Sequence, residues 1–501
     1  MTADRPGRWR RGTGHAAVLV AAVLVVAVTP ASAAPPARPS GGHPGGATPG
    51  APGIGDPLFP DEGNGGFDVT HYDLAMRYRP DERTVTARTT VSARATQSLS
   101  RFDLDFDGNT VTGLTVDGRT ASYRRDGDEL VVTPARPVHR GSRFRVTVDY
   151  QADPAATHHC APPNNPITSG WLPTRDGFVT AGQPTCARSV FPGSDHPSDK
   201  ASYTFRVTAP DGLTAVANGV PAGRYEHGGE TTWTYQQRVP MATELVQVAV
   251  GDYTVQTAPG PDHTTIRNVV PTSMAGTLGP DLAVTGPQLA WMRRQAGSYP
   301  FATYGVLAAP ANFRFALECQ TLTLTSAGMF GAVPQSYWSP VLAHELAHQW
   351  YGDSVAPARW ADVWLNEGHA SYYEASWADR EGYASFVDRM HTAYANGDTW
   401  RSRYGPVAQP SADNLFNDGV YDGGALVLYA LREKVGAARF TAIERAWAAR
   451  YAGGTGSTRQ FIALASSVAH QDLHGFLTAW LYGTRTPPMP GHPDWATDPV
   501  G

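Results

Sequence analysis

The chain of 501 residues is long enough for two or three domains, each with a sizeable hydrophobic core. Hydrophobic residues make up 41% of the chain and aromatic residues 10%, which excludes a protein that is disordered throughout. The formal net charge is −5, and this acidic balance argues against a nucleic-acid partner.

The first residues predict an export signal. Four arginines lie among the first eleven residues, the apolar run AAVLVAAVLVVAV follows, and Ala-Ser-Ala at 31–33 supplies the small residues that a signal peptidase needs. The run is too short to span a membrane comfortably, and no later stretch does better. We therefore predict a signal peptide over 1–34 and a secreted mature protein without a membrane anchor, with the export route (Sec or Tat) left open.

Residues 35–58 form a stretch that is rich in proline, glycine and alanine and has no apolar periodicity. A segment of this composition cannot bury enough apolar surface to form a core of its own. We predict a disordered linker here, between the signal peptide and the first domain.

Strand-like alternation begins at Phe67. In HYDLAMRY, VTARTTVSARA and FRVTVDY, apolar residues alternate with polar ones, which is the period of a sheet with one buried face. Turn residues such as PDER separate the first two of these segments. The pattern predicts a mostly antiparallel β domain over 59–257.

After about residue 285 the apolar period becomes that of a helix. PQLAWMRRQAG is amphipathic, and Val420, Val427 and Leu431 recur at helical spacing in GVYDGGALVLYALREK. A strand-like segment, FRFALECQTLTLT, lies between them. A β domain followed by a largely helical domain over 258–487 predicts an α+β fold, with residues 488–501 as a C-terminal tail.

The three cysteines are Cys160, Cys186 and Cys319. In an oxidising compartment this number favours one disulfide and one free thiol. We predict the pair Cys160–Cys186, because both lie in the N-terminal half of the chain. His158, His159 and Cys160 could also form a second metal cluster, but no further ligand lies nearby at a suitable spacing, which favours a polar loop.

The stretch AHELAHQWYGDS, residues 343–354, has the pattern of a metal site. On a helix, residues i and i+4 share a face, so His344 and His348 can bind one ion together. Glu345 lies about a quarter-turn away, where it can reach a bound water but not the metal. A histidine pair is also a common surface or core feature of helices, so the motif alone leaves both interpretations open.

A catalytic zinc site needs three protein ligands and an open position. Glu367, nineteen residues after His348 in WLNEGHASYYE, is the candidate for the third ligand. Glu374 would share its helix face, either accepting a hydrogen bond from a ligand imidazole or remaining a solvated carboxylate. His369 either lines the cleft or packs behind the ligands.

Several motifs together resemble those of the aminopeptidase N family, the gluzincins of peptidase family M1. HELAHQWYGDSVAPARWADVWLNEGHASYYE is similar to the zinc segment of that family. GGFDVTHYDLAMRY resembles its first β strand, and ARSVFPGSDHPSDKASY resembles its Arg, Phe-Pro and Lys-Ala signature. The resemblance implies a short, secreted bacterial form with one Zn²⁺ per chain, and an antiparallel β domain followed by a thermolysin-like, mostly helical catalytic domain.

The resemblance also implies roles for individual residues. FALEC stands where the family has Gly-Ala-Met-Glu-Asn, so Glu318 would hold the free α-amine of a substrate, and Ala316 would belong to the same substrate-binding strand. Tyr421 corresponds to the tyrosine that donates to the oxyanion; without the resemblance, core packing would be the better interpretation. Gln183 stands where many members carry a second glutamate and can contribute only a neutral carbonyl acceptor, so we expect an amine site with a single carboxylate.

These assignments predict an aminopeptidase that acts on peptides with a free N-terminus. Zinc would polarise the scissile carbonyl, and Glu345 would take the proton of the attacking water and return it to the leaving amine. The chain ends soon after the catalytic domain, which predicts an open cleft and a monomer. The alternatives are a zinc endopeptidase, for which Glu318 would have no use, the epoxide chemistry of the leukotriene hydrolase branch, and a non-catalytic peptide-binding protein.

Overall fold

The computed structural model describes residues 46–499 apart from 157, 159 and 163. The predicted signal peptide over 1–34 and the first part of the predicted linker lie outside the described residues. Within the described part of the chain, no helix is both long enough and apolar enough to cross a membrane.

The first part of the structure is built from strands. Their bounds are β1 Thr48–Pro49, β2 Phe67–Arg79, β3 Thr84–Ala95, β4 Leu99–Arg101, β5 Thr110–Val116, β6 Arg119–Thr120, β7 Ser122–Asp126, β8 Glu129–Thr133, β9 Arg143–Ala152, β10 Trp171–Pro173, β11 Phe178–Thr180, β12 Ala201–Pro210, β13 Thr214–Ala217, β14 Val220–His227, β15 Glu230–Met241 and β16 Val248–Gly251. Eight of them form one sheet in the order β14-β15-β12-β2-β3-β9-β5-β6, and β10-β11-β16-β13 form a second.

The apolar residues whose alternation predicted this domain are the ones that the large sheet buries. Along β2 and β3, every second side chain enters a core that contains Tyr72, Leu74, Val85 and Val91. Pairing within the large sheet is antiparallel except between β2 and β12. The prediction of a mostly antiparallel β domain is therefore confirmed.

The second part is mostly helical. Its strands are β17 Tyr253–Pro259, β18 Thr265–Pro271, β19 Thr303–Tyr304, β20 Val306–Ala309, β21 Ala316–Leu317, β22 Thr323–Ser326, β23 Ala356–Pro357 and β24 Thr455–Gly456. Its helices are α1 Ala275–Leu282, α2 Thr285–Ala296, α3 Met329–Ala332, α4 Gln335–His348, α5 Trp364–Arg380, α6 Phe386–Tyr404, α7 Asp418–Val435, α8 Ala437–Arg450, α9 Thr458–Ala469 and α10 His474–Tyr482. Because β17 joins the sheet of this second part, the change of sheet falls just before Tyr253, a few residues ahead of the predicted boundary.

Helices α4, α5 and α7 pack side by side and position the candidate site. The backbones of α5 and α7 approach closely where Gly368 faces Gly424: a Cβ on Gly368 would lie 2.9 Å from the Cα of Gly424. Glycine at both positions therefore permits the close approach of α5, which carries Glu367, and α7, which carries Tyr421.

The predicted disorder of the linker is wrong for residues 46–58. Strand β1 pairs with β4, and Asp56 is 3% exposed. Its carboxylate accepts hydrogen bonds from the backbone N–H groups of Leu58 and Trp360, both at 2.8 Å, and contacts His196 Nε2 at 3.1 Å. A single buried, fully bonded aspartate fixes this segment to both parts of the structure, and a composition-based interpretation cannot detect such a residue.

The segment predicted as a C-terminal tail, residues 488–501, packs on the helical part in its described portion, and the predicted disulfide is present. In the predicted tail, Met489 is buried, Trp495 packs on the helical core, and the N–H of Asp498 donates to Ala395 O at 2.8 Å. The predicted Cys160–Cys186 disulfide is present, and Cys319 is a buried thiol with no disulfide in the described part of the chain.

Candidate active site

His344 and His348 lie in the last turns of α4 and share one face, as their spacing predicts. Both side chains are buried. Their Nε2 atoms approach the same atom, Oε2 of Glu367, at 3.3 and 3.4 Å. These three side chains thus present two imidazole nitrogens and one carboxylate oxygen to a common point.

The outer nitrogen of each imidazole has a partner that fixes its tautomer. His344 Nδ1 donates to Glu374 Oε2 at 3.2 Å, and His348 Nδ1 donates to the carbonyl of Tyr351 at 3.2 Å. With both Nδ1 protons engaged, the Nε2 lone pairs face the common point, as metal-binding histidines require. Of the two interpretations of Glu374, the hydrogen-bonded one describes the structure.

The donor set fits zinc. Two imidazoles and one carboxylate, with a side left open, are the ligands of a catalytic zinc site. In the described part of the chain, Glu367 Oε2 is a buried atom without a hydrogen-bond partner, so an acceptor is held ready for a cation. Burial lowers the pKa of His344, but the neighbouring carboxylates of Glu367 and Glu374 outweigh it and raise that pKa to about 9. A metal that binds here would displace this proton.

Glu345 is 5% exposed, and burial raises its pKa to about 8. Its Oε2 finds no hydrogen-bond partner within the described ranges. Ligand atoms of Glu318, Glu345 and His348 lie within 4.8 Å of one another. Glu345 therefore lies beside the metal-binding point with one acceptor atom free, which is the position required of a base that serves a bound water.

Tyr421 lies in the first turn of α7, which begins where the Asn417 side chain accepts hydrogen bonds from the N–H groups of Gly419 and Val420. Its ring stacks on the imidazole of His344, with ring centroids 5.8 Å apart and planes 17° apart. Burial raises the pKa of the Tyr421 phenol well above its usual value, so the group stays protonated and can donate.

Glu318 follows directly after β21, whose ladder partner in the described structure is β22 alone. The strand therefore leaves one edge free, and Ala316 is its first residue. Glu318 Oε1 accepts a hydrogen bond from Gln183 Nε2 at 2.6 Å, and its backbone carbonyl accepts one from Gln349 Nε2 at 3.1 Å. Because Gln183 belongs to the β domain, this end of the site is built from both parts of the structure.

The structure brings the predicted site residues together, with Ala316 on the strand that leads to Glu318. Three details differ from the sequence analysis or resolve it. Gln183 was expected to offer its carbonyl, whereas its amide nitrogen is engaged with Glu318. His369 does not line the cleft: it is fully buried, stacks on Tyr351 and approaches Glu444 at 3.3 Å. His158 lies in a loop, as favoured, but its side chain is buried against Asp107; His159 lies outside the described residues.

Sequence reasoning missed two residues. Arg389 on α6 donates to Glu374 Oε2, the same oxygen that accepts from His344, and to Asp422. Glu244 lies buried next to Gln183. The pattern around Arg389 is that of an ordinary exposed helix position, whereas Glu244 is the only charged residue in the apolar run MATELVQVAVG, which is a signal that could have been used.

Comparisons with known proteins agree with this arrangement. Residues 69–245 match the peptidase M1 N-terminal domain, and residues 283–480 match the peptidase family M1 domain. The chain is 34% identical to aminopeptidase N of Bos taurus over 215 residues, 40% of this chain and 22% of that protein. It is 26% identical to leukotriene A-4 hydrolase of Xenopus laevis over 321 residues, 62% of this chain and 51% of that protein. The matched region thus spans about half or less of these relatives.

Solved structures match over nearly their whole length. The M1 zinc metallopeptidase of Deinococcus radiodurans superposes with a TM-score of 0.77 and 31% identity, covering 87% of this chain and 99% of that one. A mutant of that protein bound to a Tyr-Ser-Ala substrate gives a TM-score of 0.76 and 32% identity, with 88% and 100% covered. With both family domains matched in order and a solved relative covered almost completely, the chain belongs to peptidase family M1, the family of these zinc metallopeptidases.

Proposed function

We propose that this M1 metallopeptidase is a secreted, zinc-dependent aminopeptidase that removes N-terminal residues from peptides. The observation that carries the proposal is the position of Glu318. Its buried carboxylate lies within 4.8 Å of ligand atoms of Glu345 and His348, at one end of the metal-binding cluster. A zinc site can hydrolyse any amide presented to it, and a carboxylate at this distance selects amides that follow a free α-ammonium.

Glu345 and Tyr421 have different roles in the hydrolysis of the peptide bond. Bound zinc would supply a Lewis acid that polarises the scissile carbonyl and lowers the pKa of a water. Glu345 accepts the proton of the attacking water and returns it to the leaving amine. Tyr421 donates its phenol O–H to the oxygen that becomes negative as the carbonyl turns tetrahedral.

Strand β21 suits an extended peptide. A strand at a sheet edge has backbone N–H and C=O groups to pair with, and peptides bind such edges by adding a strand. A peptide paired along Ala316, with its ammonium at Glu318, would present its first peptide bond to Glu345 and Tyr421. The tripeptide bound by the Deinococcus radiodurans relative supports a substrate of this class.

Secretion is supported by two observations. The N-terminal sequence has the parts of an export signal. The Cys160–Cys186 disulfide suits an oxidising compartment, where such bonds persist.

The test compares a peptide substrate with its N-acetylated form, using the zinc-loaded enzyme. We expect wild type to prefer the free N-terminus, and Glu318→Ala to lose about two orders of magnitude in kcat/KM for that substrate while it keeps its zinc. Glu381→Ala, which removes an exposed carboxylate at the end of α5, is the matched control and should match wild type. If wild type cleaves both peptides equally and Glu318→Ala changes neither, the enzyme is an endopeptidase.

A further inference from the structure

Glu244 is a buried carboxylate that the mechanism above does not use. It lies in a single 3-10 turn, Thr243–Leu245, between β15 and β16 of the β domain. The residue is 1% exposed, and Oε2 has no hydrogen-bond partner among residues 46–499 as described. A buried carboxyl oxygen without a partner is costly, so a ligand that binds it would be stabilising.

The backbone holds Glu244 next to the amine-binding end of the site. Gly182, the neighbour of Gln183, packs against it so closely that a Cβ on Gly182 would lie 2.7 Å from the Glu244 carbonyl oxygen. The Asn218 side-chain amide donates to Leu245 O at 3.0 Å and to Gln320 O at 2.7 Å. These bonds connect the segment that carries Glu244 to the one that follows Glu318.

The electrostatics agree with this geometry. Burial and the negative charge of Glu318 raise the pKa of Glu244 well above its usual value, whereas a hydrogen bond with Gln183 lowers it. Gln183 therefore lies between two carboxylates, and its neutral amide cannot neutralise either of them. A cation placed here would relieve the repulsion between them.

Burial lowers the pKa of Lys200 and the charges of Asp353 and Glu244 raise it, so this lysine lies near Glu244, but its donors are already engaged. Lys200 Nζ donates to three backbone carbonyls, those of Asp353 at 2.7 Å, Ser354 at 2.9 Å and Gly454 at 3.2 Å. An ammonium has three N–H groups, so these bonds use its full donor capacity. Lys200 thus fixes the β domain to the catalytic domain and has no N–H group left to donate to Glu244.

We propose that Glu244 is a specificity-determining residue that binds, together with Glu318, the cation carried by the N-terminal residue of the substrate. This inference rests on the proposed function and deepens it. The cation is either the α-ammonium, which every free N-terminus has, or the side-chain charge of an N-terminal lysine or arginine. The amine site would then have a second carboxylate, supplied by a segment 61 residues away from Gln183, in place of the single one expected from the sequence.

The test measures binding, so that it does not depend on hydrolysis. Zinc-loaded wild type and Glu244→Gln are titrated calorimetrically with L-tryptophan, L-arginine and their N-acetyl forms. Glutamine keeps the shape and removes the charge; melting temperature and zinc content verify the fold, and Glu244→Met repeats the test if Glu244→Gln is unstable. Glu129→Gln, which replaces another inward carboxyl of the β domain, is the matched control.

We expect Glu244→Gln to weaken binding of a free amino acid by about tenfold or more. Equal losses for L-tryptophan and L-arginine identify the α-ammonium as the cation; a loss for L-arginine in both its free and N-acetyl forms, with L-tryptophan unchanged, identifies the side chain. Affinities within twofold of wild type for both amino acids overturn the proposal, and so does an equal loss for all four ligands, which indicates a structural role. If wild type binds free amino acids selectively yet hydrolyses no aminoacyl substrate, the proposed function fails while the role of Glu244 stands.

Discussion

The site has two ends that are built in opposite ways. We call the cluster of His344, His348, Glu367 and Glu374 the metal end, and the cluster of Glu318, Gln183 and Glu244 the amine end. At the metal end, His344, His348, Glu367 and Glu374 come from two consecutive helices, and each imidazole has a partner at Nδ1 and at Nε2. At the amine end, the acidic groups come from distant segments of two domains and share one neutral amide. The metal end is thus pre-organised by local contacts, and the amine end depends on how the domains pack.

The charges of the two ends differ in the same way. Histidine protons compensate the carboxylates of the metal end, and they hold the pKa of Glu367 at about 2 although burial raises it. At the amine end, burial together with Glu318 raises the pKa of Glu244, and a hydrogen bond with the neutral amide of Gln183 lowers it. At the metal end, a bound metal would replace the histidine protons. At the amine end, a cationic ligand would supply the positive charge that the carboxylates lack.

The largest expected effect is at the metal end. Glu345→Gln should leave zinc bound, because the three ligands remain, and should lower kcat by about two to four orders of magnitude, because the base is lost. Metal analysis and steady-state kinetics on the same preparation measure both quantities. Turnover within tenfold of wild type would show that Glu345 is not the base and that the division of roles between the two ends is wrong.

Tyr421→Phe should have the next largest effect. The phenol O–H is needed chiefly in the transition state, so kcat should fall by about two to three orders of magnitude while KM changes little. The stacking of the ring on His344 is retained by phenylalanine, so zinc affinity should stay within a few-fold of wild type. A transition-state analogue should lose affinity more than a substrate analogue does; equal losses would make Tyr421 a packing residue.

The same contrast explains how much the sequence could predict. His344, His348 and Glu367 were accessible because helical periodicity converts a spacing of four into a shared face. The disulfide followed from the number of cysteines and their shared half of the chain. Glu318, Ala316, Gln183 and Tyr421 were reached only through resemblance to a family, because no local period connects them.

Other features depend on long-range packing that no local pattern records. Asp56 orders a proline- and glycine-rich segment through bonds to His196 and Trp360, which lie far away in the sequence. Glu244 becomes part of the site only when its turn meets the Gln183 turn. In both cases a single buried carboxylate lies against residues that are distant in the sequence, so no local period records its position.

Replacing Arg389 should have a smaller effect than the two substitutions above. Arg389 Nη2 lies 3.1 Å from Glu374 Oε2 and 2.8 Å from Asp422 Oδ1. Asp422 follows Tyr421 on α7, so Arg389 connects α5, α6 and α7 around the metal end. We expect Arg389→Ala to weaken zinc binding by about tenfold to a hundredfold, measured by competition with a chelator, and to leave amino acid binding by the zinc-saturated protein unchanged.

Arg389 should affect zinc affinity by orienting Glu374 rather than by keeping Glu374 charged. Burial raises the pKa of Glu374, but Arg389 and His344 outweigh it and hold that pKa at about 2. Without Arg389 that pKa would rise, but the hydrogen bond with His344 remains and continues to favour the ionised carboxylate. The loss in zinc affinity should therefore be constant between about pH 6 and 8, and Arg389→Lys, which keeps the charge but not the planar fork, should restore only part of it. If the loss in zinc affinity instead grew as the pH falls, the role of Arg389 would be to keep Glu374 ionised. A loss of amino acid binding would show that the two ends of the site are coupled.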